Sequence, residues 1–431
     1  MTELTCYACG ESVPVPAAPN PLTAPNSSGP PDSPTAPDPS TAPNSPAALP
    51  APRCDCGEPR WFASDPDRLD ALTWPDDLDD RMWAFADLLP VEPPASGMAT
   101  APGGTPLVRT PALDAFAGAR VSVKDEGRNP TGSFKDRGSA VGVALAADAG
   151  ADAVGTVSHG NMAISTAATA AAFGIDCVVC VPANIPEERL GNIARFGPRI
   201  VRVDGDYGRL YHEALSIGAE RGVPFVNSDT PGRVAGQKTT VLEALAAFRT
   251  RNDGGLPDAV VMPVSSGGHA SGAYKGLREL VDAGLVDDAD LPRLYLVQAA
   301  ACAPIAAADE RGLDRVERVE RGETIAYSIA NPDPPSGTRA LFGARETGGG
   351  ALAVDDDAIR AAQRRLAADA GLAVEASSAT SLAGARLLAE RDELATDDDV
   401  VCVATGSGFK ESAAVDVDSE LVPLEKLADS I

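Results

Sequence analysis

A chain of 431 residues has room for two or three domains, and at 44% hydrophobic residues it can bury sizeable cores. Its 62 acidic and 36 basic residues give a net charge of −26, which opposes nucleic acid and anionic membranes as partners. No stretch of about 18 apolar residues is free of charge, so no transmembrane helix is expected, and the start Met1-Thr2-Glu3-Leu4-Thr5-Cys6 lacks the basic and apolar runs of a signal peptide. A cytoplasmic protein is the plain expectation. The basic side is almost all arginine, with only six lysines, and scarce lysine beside abundant Asp and Ala fits a halophilic acidic protein whose self-repulsion is screened by salt.

Along the chain, four of the eight cysteines come first, as Cys6-x-x-Cys9 and Cys54-x-Cys56, each pair followed by glycine. In a long cytosolic chain this is not a disulfide framework. Four thiolates could hold zinc tetrahedrally. The second pair is one residue shorter than the usual Cys-x-x-Cys, so a decayed ribbon without metal stands as the alternative. Residues 14–52 are mostly Pro, Ala, Ser, Asn and Thr, cannot bury a core and read as a disordered linker, leaving 1–60 as a small Cys-rich segment. Residues 61–98 hold all three tryptophans.

From about residue 103 short Val/Ile/Leu runs alternate with Ala-rich stretches. Strands are expected at 154–157, 177–181, 199–203, 223–226, 259–264, 294–298 and 399–404. Helices are expected at 138–149, 161–173, 208–221, 236–249, 270–283, 355–369 and 376–390. This alternation means βαβ units and a mostly parallel sheet, and the continuously apolar strands imply helices on both faces. Cys177 and Cys180 share the Cys-x-x-Cys spacing, but in a strand they face opposite sides and belong to the core. Ligands in such folds sit beyond the C-terminal ends of the strands. Three glycine-bearing turns lie there: Ser158-His159-Gly160-Asn161, Ser265-Ser266-Gly267-Gly268 and Thr405-Gly406-Ser407-Gly408.

The strongest segment is Asn129-Pro130-Thr131-Gly132-Ser133-Phe134-Lys135-Asp136-Arg137. A lysine used for Schiff-base chemistry must be desolvated, which lowers its pKa and frees its lone pair. Taken alone, Lys135 reads as a helix-start lysine paired with Asp136. The surrounding string changes this, because it resembles the cofactor-lysine motif of the threonine synthase family, within the fold-type II pyridoxal-phosphate enzymes. The resemblance runs over roughly residues 80–415. It includes Met82-Trp83 with Leu89-Pro90, Gly104-Thr105-Pro106-Leu107, Asn227-Ser228 with Arg233, Gly236-Gln237-Lys238-Thr239, Gln298-Ala299-Ala300 and Asn331-Pro332.

The resemblance implies an α/β fold of the tryptophan synthase beta-like type, with two doubly wound parallel-sheet domains and the active site between them. The large, cofactor-binding domain would comprise 61–138 and 240–431, and the small domain 139–239. It assigns Lys135 to covalent attachment of pyridoxal 5′-phosphate and to proton transfer at the substrate's Cα. Asn161 would bond the cofactor's 3′-oxygen; a helix N-cap is its other reading. Ser265, Ser266, Gly267, Gly268 and His269 would cradle the cofactor phosphate at a helix start. Thr405 would meet the pyridine nitrogen, or be a plain turn residue. Asn227, Ser228 and Arg233 would bind a substrate phosphate, while Arg233 also reads as a surface ion pair. Many relatives carry an N-terminal zinc ribbon like that of Cys6, Cys9, Cys54 and Cys56.

The chain departs from the family pattern in places. Where Ser-Thr-Gly-Asn-Thr is usual it has Ser158-His159-Gly160-Asn161-Met162, the phosphate loop ends in His269 rather than Asn, and Ser407 stands where His is frequent. Ser158, His159, Met162 and His269 are expected near the substrate, where either histidine could offer an extra cation. The expected activity is conversion of O-phospho-L-homoserine to L-threonine. A paralogous threonine/serine dehydratase or a β-replacement enzyme, cysteate synthase-like, is the alternative. A non-catalytic zinc-ribbon protein for nucleic acid is opposed by the charge and by the intact lysine motif. The implied partner is a small amino-acid substrate, with no nucleic acid or membrane, and relatives of this type are often homodimers.

Overall fold

The structure, a computed structural model, describes residues 3–15, 51–95, 97–205 and 207–411. Residues 16–50 of the expected disordered linker lie outside the described residues. An antiparallel sheet of β1 (Glu3–Cys6), β2 (Ser12–Pro14) and β3 (Arg60–Phe62), ordered β2-β1-β3, joins the two cysteine pairs.

A six-stranded sheet follows, made of β4 (Leu107–Arg109), β5 (Arg120–Asp125), β9 (Ala259–Pro263), β10 (Arg293–Ala299), β11 (Gly350–Val354) and β12 (Asp399–Ala404). Its order is β11-β10-β9-β12-β5-β4, parallel throughout except for the edge pair β4–β5. Between β5 and β9 in the chain, β6 (Ala153–Val157), β7 (Asp176–Pro182) and β8 (Arg199–Val203) form a separate three-stranded parallel sheet. This is the fold-type II architecture that the lysine motif implied.

The large sheet is buried on both faces because successive residues of its central strands feed two different cores. Val260, Met262, Val401 and Val403 pack with Leu242 and Leu277 on one face. Val261, Val400 and Cys402 pack with Ile359 and Leu382 on the other. A strand's two-residue period with apolar side chains at every position can only be satisfied this way. Cys177 and Cys180 of β7 fall into separate clusters, as alternation requires.

Two expected elements differ. Residues 223–226 contribute only a single parallel bridge, Gly155 to Phe225, because Pro224 offers a carbonyl to Gly155 but no N–H of its own. The helix expected at 236–249 is two, Pro231–Gln237 and Thr239–Arg251, the first set by proline at its opening turn. The first of these crosses the helix Lys135–Asp148 very closely. A Cβ on Gly236 would stand 2.1 Å from the Arg137 carbonyl, and one on Gly138 would stand 3.0 Å from the Arg233 carbonyl. Glycine at both positions is what lets Arg233 reach the lysine turn.

Candidate active site

The lysine motif is anchored by a fully buried charge network. Lys124, Glu126, Arg137 and Glu243 are each 0% exposed. Arg137 donates to Glu126 at 2.7 and 2.8 Å and to Glu243 at 2.6 and 2.7 Å, and Lys124 donates to Glu243 at 2.8 Å. Thr105 and Asn129 donate to the remaining Glu126 positions at 2.6 and 2.9 Å. Two cations facing two anions with matched hydrogen bonds is the arrangement that makes such burial tolerable. Burial alone would raise the Glu126 and Glu243 carboxyls, but Arg137 and Lys124 hold both below the ordinary carboxylate range. Asn129 and Arg137 bracket the motif, so the network fixes the turn that presents Lys135.

Lys135 opens the helix Lys135–Asp148 and keeps partial exposure. Its ammonium lies 4.4 Å from the centre of the Phe134 ring. Desolvation, aided by Arg233 and opposed by Glu375, pushes its pKa from 10.5 to about 7. The amine is therefore available as a base near neutrality. It is not held by Asp136, which accepts instead from the Thr131 amide and hydroxyl at 2.7 and 2.6 Å.

Asn161 begins the helix Asn161–Phe173 and makes no N-cap bond; Gly160 holds the cap position. Its amide nitrogen donates to both Glu375 oxygens at 2.8 and 3.0 Å, and its oxygen accepts from Lys410 at 2.7 Å. Glu375 also lies across Gly406, where a Cβ would meet its carboxylate at 2.8 Å. Thr405, just past β12, is 6% exposed and its hydroxyl is 3.0 Å from that of Ser378. The Phe134 amide donates to the Thr405 carbonyl at 3.0 Å, so the lysine turn and the Thr405 turn are joined by backbone. Glu375, Ser378 and Lys410 went unnoticed in the sequence. Lys410, one of so few lysines and two residues past a glycine turn, was the findable one.

The turn Ser265–Gly268 leads into the helix Gly268–Asp282. A Cβ on Gly267 would sit 2.3 Å from the Ser336 carbonyl and one on Gly268 would sit 2.3 Å from the Ser228 carbonyl. The turn is thus clasped between residue 336 and the Asn227–Ser228 loop. Asn227 is pinned to β6 by accepting from the Val157 amide at 3.0 Å. Arg233 is 0% exposed and meets no carboxylate among the described residues. It donates to the Ser139 and Thr166 hydroxyls at 2.9 and 3.3 Å and to the Lys135 carbonyl at 3.1 Å. The surface-ion-pair reading of Arg233 is overturned. Burial, against the partial support of Asp136 and Tyr211, lowers its pKa to about 10.

His269 is 7% exposed and stacks on Phe134 with ring centres 4.1 Å apart. Burial, with Lys135 and Arg137 adding to it against Glu126, pushes it down to about 3. His159 is held below its ordinary value by burial and by Arg189 and Arg321. Burial thus disfavours the charged form of both histidines. Met162, the second residue of the helix Asn161–Phe173, is buried, and Ser158 accepts from the Gly160 amide at 3.2 Å.

In the N-terminal module the four cysteine sulfurs all lie within 4.8 Å of one another, with Cys6–Cys56 and Cys9–Cys54 at 3.6 Å. Tetrahedral thiolates about 2.3 Å from a zinc ion would stand roughly 3.8 Å apart, so the shortened second pair still closes a compatible site.

The pattern describing pyridoxal-phosphate dependent enzymes matches residues 98–406. The chain belongs to this family, and its relatives place it in the threonine synthase family within it. It is 35% identical over 355 residues to the threonine synthase of Methanosarcina acetivorans, covering 81% of this chain and 85% of that one. With the threonine synthase of Methanocaldococcus jannaschii it shares 34% over 349 residues, covering 80% and 84%. Maize serine racemase superposes with a TM-score of 0.59 at 21% identity, over 76% of this chain and 91% of that one, a likeness of fold alone. The cofactor is pyridoxal phosphate. The cleft residues suit it, because both His269 nitrogens, both polar atoms of the Gln237 amide, Asn227 Nδ2, Arg233 Nε and Ser133 Oγ are buried without a hydrogen-bond partner among the described residues. Such orphans in a native interior call for a polar ligand.

Proposed function

We propose that this enzyme is a carbon–oxygen lyase that converts O-phospho-L-homoserine and water to L-threonine and phosphate. The observation that carries the reading is Arg233, a buried guanidinium with no carboxylate partner among the described residues, bonded to the carbonyl of Lys135 itself. A cation kept unpaired in an interior is stabilised when an anion enters, and its planar fork suits phosphate. Its relatives' names point the same way.

The cofactor, when bound, supplies an electron sink for charge developing at Cα and Cβ. Lys135 would hold it, Ser265–Gly268 and His269 would receive its phosphate, Asn161 its 3′-oxygen, and Thr405 its ring nitrogen. Asn161 is engaged by Glu375 and Lys410 and would exchange part of that pairing for the 3′-oxygen. The free Lys135 amine takes the proton from the substrate's Cα and, once that proton has been passed on, takes a second from Cβ. The Cγ–O bond then breaks and the phosphate remains on Arg233, Asn227 and Ser228. A proton returns to Cγ, water then adds its oxygen at Cβ and yields a proton to the released phosphate, and Lys135 returns a proton to Cα. Ser158, His159 and Met162 line the approach to the reacting carbons and limit stray water.

A second reading is favoured by His159, Met162 and His269, which replace residues usual in the family: β-elimination or β-replacement on serine, threonine or O-phosphoserine. Phosphate release with threonine formation from O-phosphohomoserine, abolished in Lys135→Ala, is the expected result. Inertness toward both phosphorylated amino acids, with ketoacid formed from threonine, would overturn it. We also propose zinc at Cys6, Cys9, Cys54 and Cys56, in a structural role, since four thiolates leave no open position for chemistry.

A further inference from the structure

The cysteine module is not a free appendage. Arg53, the residue before Cys54, has its guanidinium held by the carbonyl of Gly57, just past Cys56, at 2.8 Å. The same guanidinium reaches out of the module to Asp229 at 3.1 Å and to the Pro335 carbonyl at 2.7 Å. Both targets adjoin residues that contact the active-site turns. Asp229 follows Asn227–Ser228, whose Ser228 carbonyl abuts Gly268, and it also accepts from the hydroxyl of Tyr211 in the helix Tyr207–Glu220. Pro335 precedes Ser336, whose amide donates to Ser266 at 2.8 Å and whose carbonyl abuts Gly267.

A second tie runs in the opposite direction. Arg339, 0% exposed, donates to the Arg60 carbonyl of β3 at 3.1 Å and to the Ser336 hydroxyl at 3.2 Å. Residue 336 is therefore held against the module from both sides. An ordinary surface ion pair contributes under about 1 kcal/mol. Arg53 differs from one, because its partner Asp229 is only 9% exposed and a backbone carbonyl shares the guanidinium.

We propose that Arg53 is a positioning residue through which the cysteine module sets the spacing of the two phosphate-contacting turns, Ser265–Gly268 and Asn227–Ser228. The cofactor half of this stands on the family's cofactor, while the substrate half rests on the phosphorylated substrate proposed above. The Ser265–Gly268 turn is packed without slack against the Ser336 and Ser228 carbonyls, at Gly267 and Gly268. A small relaxation at Asp229 or Pro335 displaces the anion-binding groups without touching Lys135.

The test uses the full-length protein, Arg53→Met and the conservative Arg53→Lys. After removal of cofactor with hydroxylamine, each is titrated with pyridoxal phosphate and, separately, with pyridoxal, following visible absorbance. The expected result is a roughly tenfold weaker affinity for pyridoxal phosphate in Arg53→Met, equivalent to about 1.4 kcal/mol, with pyridoxal affinity unchanged. Partial recovery is expected in Arg53→Lys. With O-phosphohomoserine, KM rises by a similar factor while kcat stays within about twofold. Cysteine-bound zinc, measured on the same samples, stays at the wild-type value. Equal loss of pyridoxal and pyridoxal phosphate binding, or unchanged binding of both, overturns the proposal. If no variant, nor the wild type, turns over O-phosphohomoserine, the substrate reading fails, and the two cofactor titrations still decide the role of Arg53.

Discussion

Replacing Lys135 by methionine should stabilise the cofactor-free protein while abolishing activity. The amine's pKa falls from 10.5 to about 7, chiefly through burial. At 1.36 kcal/mol per pKa unit, that drop corresponds to about 5 kcal/mol of preference for the neutral form. The side chain keeps partial exposure, and solvent screening reduces the effect to about 2–3 kcal/mol. The sign follows from linkage. Between the folded value near 7 and the unfolded value of 10.5, the unfolded chain binds more protons, so stability rises with pH across that window. The penalty is fully present below pH 7 and is gone above the unfolded value. Methionine fills nearly the same space without charge, so its advantage should be about 2–3 kcal/mol near pH 7 and shrink steadily toward pH 10. Urea unfolding of cofactor-stripped wild type and Lys135→Met at a series of pH values measures this. Curves that coincide at pH 7, or a difference that does not depend on pH, would refute the reasoning that Lys135 is held in a desolvated, destabilised state.

Other outcomes follow from neighbouring groups. Glu243→Gln leaves Lys124 and Arg137 facing one buried carboxylate and should cost about 3–5 kcal/mol in urea unfolding at pH 7. Because Glu243 is held below the ordinary carboxylate range, its contribution is present above that range and lost as pH falls through the folded value, so the deficit should narrow in acid. Cys56→Ser should reduce bound zinc, measured by metal analysis, and lower Tm without altering the visible absorbance of lysine-bound cofactor. Glu375→Gln removes the carboxylate that raises the Lys135 pKa, so the acidic limb of the kcat profile, which reports the amine freed in the substrate complex, should move to lower pH.

Much of the architecture was legible because each signal was local. Continuous apolar runs marked the buried parallel strands, and the turns after them marked the cleft. The lysine motif was legible as a string, but its ends proved to be a structural device. Arg137 and Asn129 are bound by Glu126 and Glu243, and nothing in the spacing of Glu243 announces that it comes back to Arg137 across more than a hundred residues. Glu375 was illegible for the same reason. In sequence it is an acid before an Ala-rich helix, and only the meeting of that helix start with Asn161 gives it a role. The histidines misled in the other direction. A histidine in a motif suggests charge, whereas burial beside arginines and lysine disfavours the charged form of both. The strand at 223–226 failed because Pro224 removes a donor that hydrophobicity does not register.

Arg233 ties the electrostatics of the cleft to the proposed chemistry. In a chain of net charge −26, a buried arginine without an acid partner is the least expected feature, and it also lowers the pKa of Lys135. A phosphate seated on Arg233 would cancel that influence and make Lys135 a stronger base only while substrate is bound; departure of phosphate would restore the weaker base. Arg233→Met should therefore do two separable things. Loss of charged hydrogen bonds to phosphate should lower kcat/KM by roughly 100-fold or more, with Arg233→Lys recovering only part because it lacks the fork. The acidic limb of the kcat profile should move to higher pH, opposite to Glu375→Gln, because a cation that depresses Lys135 has gone. A variant with impaired kcat/KM but an unmoved limb would leave Arg233 as a phosphate anchor and remove its coupling to the base. A limb displaced the same way as in Glu375→Gln would refute the sign assigned to the Arg233 influence on Lys135.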